Sequence, residues 1–82
     1  MINAEHVQEL IATFTFEVSG VRPGRDDDIA FSLLDSLDQA ELVTKLERAF
    51  GVVLSDALIA TSHSLSEIVE SVLSAADEQA AS

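Results

Sequence analysis

One serine in this chain stands where a hydroxyl could be put to chemical use. Ser36 lies between Asp35 and Leu37, near the head of an unbroken run from Leu33 to Phe50, LLDSLDQAELVTKLERAF. That run is long enough for about four turns of helix. Ser36 and Gln39 satisfy the S-x-x-[E/Q] capping box, and Asp35 is an alternative N-cap one residue earlier. Either choice sets the Ser36 hydroxyl at an exposed helix N-terminus. Unpaired backbone N–H groups and the positive end of the helix dipole can accommodate a phosphodiester there. Read locally, the same serine is better taken as a cap and nothing more.

Other reactive groups are few. The chain has no cysteine, so it has neither a disulfide framework nor a thiolate nucleophile or ligand. His6 and His63 each fall near a predicted helix start without a matching ligand constellation, and read as solvent-facing or capping residues. No G-x-S-x-G elbow surrounds any of the serines, and no glycine-rich phosphate loop is present. Asp26-Asp27-Asp28 invites a metal reading, but calcium loops alternate their ligands and add a glycine and a distal glutamate, which this run lacks. Three adjacent carboxylates read better as a solvated loop, so no metal site is expected. A chain of 82 residues also leaves little room for a substrate pocket of ordinary size. These absences argue against an enzyme.

The helix that presents Ser36 has two faces. At about 100° per residue, Gln39, Leu42, Val43, Leu46 and Phe50 fall on one side and form a core stripe. The other side carries Leu37, Glu41, Thr44 and Arg48, with Asp38 and Lys45 at its margin. Leu37 is a large apolar residue on the solvent side, which is ordinary in itself. Glu41 and Lys45 stand in the favourable order for an i,i+4 ion pair, worth about 0.3–0.5 kcal/mol.

The remaining elements follow from the same periodicity. Asn3 is a plausible N-cap, and Val7, Leu10, Ile11, Phe14 and Val18 hold helical spacing, which predicts a first helix over Ala4 to Glu17. Phe14, Phe16 and Val18 alternate with polar residues as in a strand, but the chain offers no second strand to pair with it. Gly20 is the expected stop. Ser19 to Ser32 then reads as a long loop with Gly20, Pro23 and Gly24, anchored by Ile29 or Phe31. Gly51 ends the second helix. Val52 to Leu54 is an apolar link, and Ser55 with Asp56 can cap a brief helix carrying Leu58 and Ile59. Ser64 and Glu67 form another capping box, opening a last helix with Leu65, Ile68, Val69, Val72, Leu73 and Ala76 on its core side. Residues 77–82, DEQAAS, should fray. The expected fold is all-α: a small four-helix bundle of three main helices and one short one, with a long first loop. The chain is read as one domain, 1–82, with its core at about 4–76.

Fifteen acidic against four basic residues leave a formal charge of −11. That argues against nucleic acid or an anionic membrane as partner and favours proteins with basic surfaces. No apolar stretch approaches the ~18 residues of a membrane span, and Met1-Ile2-Asn3 does not begin a signal peptide. A cytoplasmic, monomeric, free-standing protein is the expectation.

Asp35-Ser36-Leu37 at a helix start, followed by an acidic helix ending in Phe50-Gly51, resembles the acyl carrier protein family over roughly Val7 to Leu73. The resemblance implies that Ser36 is the attachment point of 4'-phosphopantetheine, taken from coenzyme A by a phosphopantetheinyl transferase. The arm's terminal thiol would hold acyl intermediates as thioesters in fatty acid, polyketide or related biosynthesis, or aminoacyl and peptidyl groups. By position, the resemblance also implies docking of loading and processing enzymes through Asp35, Leu37, Asp38, Glu41, Thr44 and Glu47. Two departures stand out. Lys45 and Arg48 put two basic residues on a helix that the family keeps more acidic, and Phe31-Ser32-Leu33-Leu34 lacks the glycine often found just before the serine. The competing reading is an unmodified acidic helical adaptor that docks through the Leu37 face.

Overall fold

The computed structural model describes residues 2–29, 33–55, 57–62 and 64–81. Three helices are fully traced among the described residues: α1 (Ala4–Ser19), α2 (Ser36–Phe50) and α3 (Leu65–Ala81). There is no strand among the described residues. α1 packs against both of the others, more extensively against α3.

Helix α1 starts as the sequence predicts. Asn3 is extended, and its Oδ1 accepts the Glu5 N–H at 2.7 Å. The helix runs two residues past the predicted end, to Ser19. Gly20 then takes the left-handed conformation at φ 79° and donates its N–H to the Phe16 carbonyl. Val18, expected on the core stripe, is exposed instead. The buried line follows Val7, Ile11, Phe14 and Thr15, with Ser19 half-buried. Two hydroxyls make that line tolerable: Thr15 Oγ1 donates to the Ile11 carbonyl at 2.8 Å, and Ser19 Oγ to the Thr15 carbonyl at 2.6 Å. A buried polar side chain satisfied within its own helix carries little penalty.

The long loop is held by its backbone. Asp27 accepts the Gly24 N–H through its carboxylate at 2.6 Å and returns its own N–H to the Gly24 carbonyl. The carbonyls of Asp27 and Arg25 then accept the N–H groups of Leu65 and Ser66, both at 2.9 Å. These are first-turn donors of α3, which no intrahelical acceptor can serve. The aspartate run therefore sits where a helix start favours negative charge. Pro23 and Ile29 are buried, so Ile29 is one anchor of the loop. Phe31, the other candidate, lies outside the described residues.

Between α2 and α3 the chain alternates like a strand. Val52 and Leu54 enter the core, and Val53 points out. Glu47 accepts the Leu54 N–H at 2.8 Å, while the Gln79 side chain bonds both the N–H and the C=O of Val53. Residues 57–61 form turns rather than the expected short helix. Their hydrogen bonds mix i+3 spacing (Leu58 to Ser55) with i+4 spacing (Thr61 to Ala57). Asp56, its proposed cap, is outside the described residues. Ile59 is nevertheless fully buried.

Helix α3 opens with Ser64 accepting the Glu67 N–H at 3.3 Å, the serine half of the predicted box. Leu65, Ile68, Val69 and Val72 are buried as expected, with Leu73 and Ala76 packed against them. The helix continues to Ala81, through residues whose composition suggested fraying. Gln79 is in that segment, and its contact with Val53 fastens it to the link.

Candidate functional site

Ser36 is presented by a start that does not depend on it. Asp35 is the N-cap: its backbone is extended and its Oδ1 accepts the Asp38 N–H at 2.8 Å. The first intrahelical bond runs from the Gln39 N–H to the Asp35 carbonyl at 2.9 Å. Of the two capping choices open in the sequence, the aspartate is used. Ser36 is therefore the first helical residue. The Ser36–Gln39 box is not formed. Gln39 turns back instead, and its Nε2 donates to the Leu34 carbonyl at 3.0 Å.

The segment before Asp35 is fixed from below. Leu34 is buried, and the N–H groups of Leu33 and Leu34 both donate to the Ile29 carbonyl, at 3.0 and 2.9 Å. The turn without a preceding glycine thus closes on a buried isoleucine. Periodicity gives no hint of Gln39 or Ile29 in these roles, since both act through backbone carbonyls outside the helix.

Ser36 itself is exposed, and its hydroxyl makes no hydrogen bond among the described residues. The Asp35 carboxylate takes the N–H of Asp38, and the N–H groups of Ser36 and Leu37 are aimed off the helix start. An oxyanion on the serine oxygen would sit beside these donors at the positive end of the dipole.

Around the serine, the predicted docking residues divide. Leu37 is 78% exposed. Asp35 and Glu41 are exposed and Asp38 is half-buried. Thr44 is exposed, with its hydroxyl donated to the Ala40 carbonyl of its own helix. Glu47 is half-buried and spends one carboxylate oxygen on Leu54 N–H. The expected Glu41–Lys45 pair is not formed: the one ion pair among the described residues joins Arg22 to Glu9. Lys45 reaches across to α1, where its Nζ lies 5.9 Å from the centre of the Phe14 ring, a cation–π contact.

His6 joins no ligand set among the described residues. His6 is exposed in the first turn of α1, and His63 lies outside the described residues. Among the described residues, no three or more His, Asp or Glu side chains gather as a metal site would need. No described helix is long and apolar enough to cross a membrane.

The model of one protein family, described as the phosphopantetheine attachment site, matches residues 6–72. The chain belongs to that family. It is a non-catalytic carrier that holds 4'-phosphopantetheine covalently, and its partners are a phosphopantetheinyl transferase and biosynthetic enzymes. No curated protein and no solved structure matches the chain. The carrier's matched span takes in all of α2 and reaches Val72 of α3.

Proposed function

We propose that Ser36 bears the phosphopantetheine arm, and that the chain is an acyl carrier protein holding acyl intermediates as thioesters on the arm's terminal thiol. One observation carries the assignment: Ser36 is exposed at a helix start while Asp35 does the capping, so the serine oxygen can be esterified without dismantling the helix. The phosphodiester adds negative charge beside two free N–H groups, which favours it. It also sits near Asp35 and Asp38, whose repulsion favours an arm that extends away from the domain. The thioester chemistry belongs to the arm and to the enzymes that use it.

Docking falls to the exposed face of α2. Leu37 supplies an apolar contact beside the serine, and Asp35, Asp38 and Glu41 supply the charge that steers a basic partner. Thr44 continues this face. Glu47 contributes less, because its carboxylate is engaged by the Leu54 N–H.

Incubation with coenzyme A, magnesium and a phosphopantetheinyl transferase, followed by intact mass, tests the assignment. The wild-type chain should gain one arm, and Ser36→Ala should fold and gain none. A loaded alanine variant would move the attachment away from Ser36, and a wild-type chain that stays unmodified would return the protein to the unmodified-adaptor reading.

A further inference from the structure

Lys45 and Arg48 are not explained by an acidic docking helix. The structure shows that neither is spent on a neighbouring carboxylate: Lys45 lies over the Phe14 ring, and Arg48 has no hydrogen bond or ion pair among the described residues. Both are exposed. They form one lip of an open groove between α1 and α2, with Leu10 and Phe14 beneath. On the α1 lip, Glu9 is paired with Arg22 at 2.6 Å and Glu17 has no ion pair among the described residues.

The exposed side of α2 is therefore split along its axis. Asp35, Asp38 and Glu41 occupy the Ser36 end, and Lys45 and Arg48 the Phe50 end. At the α-helical rise the boundary pair, Glu41 and Lys45, is about 6 Å apart along the axis, and the outer pair, Asp35 and Arg48, about 20 Å. Screening at 0.15 M salt acts over about 8 Å. The outer charges of the two ends, Asp35 and Arg48, thus present separate local fields, despite a net charge of −11.

We propose that α2 engages its partner enzymes through a charge-split contact. The partner sets cationic side chains against Asp35, Asp38 and Glu41, and a carboxylate-flanked apolar side chain into the groove beside Lys45 and Arg48. This rests on the reading of α2 as the docking face. It narrows the partners to those whose basic patch adjoins an acidic one. A uniformly basic surface would meet Lys45 and Arg48 as repulsion, and such repulsion is how an interface rejects wrong partners.

Two synthetic helical peptides serve as probes at 0.15 M salt, one with a phenylalanine flanked by glutamates and one with the same residue flanked by lysines. Amide shifts are followed on the whole isotopically labelled chain. The acidic peptide should move the amides of Lys45–Ala49 and Leu10–Phe14, and the basic peptide those of Asp35–Glu41. Arg48→Glu, which leaves the Lys45–Phe14 contact in place, should weaken the acidic peptide by about tenfold, and K45E/R48E should abolish its binding. Absent shifts at Lys45–Ala49, or shifts that persist in the double variant, overturn the proposal. If the basic peptide leaves Asp35–Glu41 unmoved, the docking reading itself falls, and the split contact with it. Loading of Ser36 by the transferase, read by mass, reports on attachment independently of either peptide.

Discussion

At the start of α2, two adjacent residues divide two tasks. The aspartate holds the helix, and the serine is left with nothing to hold. This division has a measurable consequence. Asp35→Ala removes the cap and should cost about 1 kcal/mol in a denaturant titration. Ser36→Ala should cost less than half of that, since the hydroxyl makes no bond and alanine is a better helix former. The reverse ranking would mean that Ser36 is the cap, and that its modification must displace a structural contact. The motif was legible because an S-x-x-[E/Q] pattern and a preceding aspartate are local. What was not legible was the choice between them, which turns on Gln39 leaving its box for the Leu34 carbonyl. The Glu41–Lys45 pair failed for a related reason: spacing on one helix says nothing of the Phe14 ring that α1 brings within reach.

The helices follow their apolar periods. Leu42, Val43 and Leu46 are buried on the predicted side of α2, and Thr44 is exposed opposite them. Leu46→Ala should therefore cost about 2–5 kcal/mol through the cavity it leaves. Thr44→Ala should stay within about 0.5 kcal/mol. Equal losses in chemical denaturation would mean that the helix faces are misassigned. Periodicity was less informative for the connecting segments. Leu34, Val52, Leu54 and Ile59 all belong to the core, yet none lies in a helix. Their burial is set by contacts distant in sequence, such as Gln79 on Val53 and Leu65 on Asp27. The expected short helix is not found among the described residues of that region, where Ile59 is buried within a turn.

As a whole the molecule concentrates a charge of −11 within a radius of gyration of 11.6 Å. Its one ion pair among the described residues is on the surface, with both side chains more than half exposed. Screening thus removes little attraction, since exposed pairs are worth about 0–1 kcal/mol, while it relieves much repulsion. The melting temperature should rise with sodium chloride, by about 4–8 °C for each 1 kcal/mol gained in a domain of this size. Magnesium at matched ionic strength should add to the rise by bridging neighbouring carboxylates. A thermal melt across a salt series that stays flat or falls would show that local attraction outweighs the net charge.

The backbone bonds from Leu65 and Ser66 to Asp27 and Arg25 also bear on the order in which the molecule is assembled. Synthesis proceeds from the N-terminus, so α1, the loop and α2 leave the ribosome before α3 exists. Until then the loop has no donors to close on, and Ile29 lacks the apolar face of Leu65 and Ile68 within the shared core. The segment leading into Ser36 is thus made early and secured late, by residues some 30 to 40 positions downstream. A nascent chain ending near Ser62 is expected to hold the whole attachment sequence and still be a poor substrate for the transferase, as pulse-labelling of stalled chains would reveal. On the proposed assignment of Ser36, the last helix would act as a completion signal, the serine becoming fit to receive its arm once α3 has closed the loop.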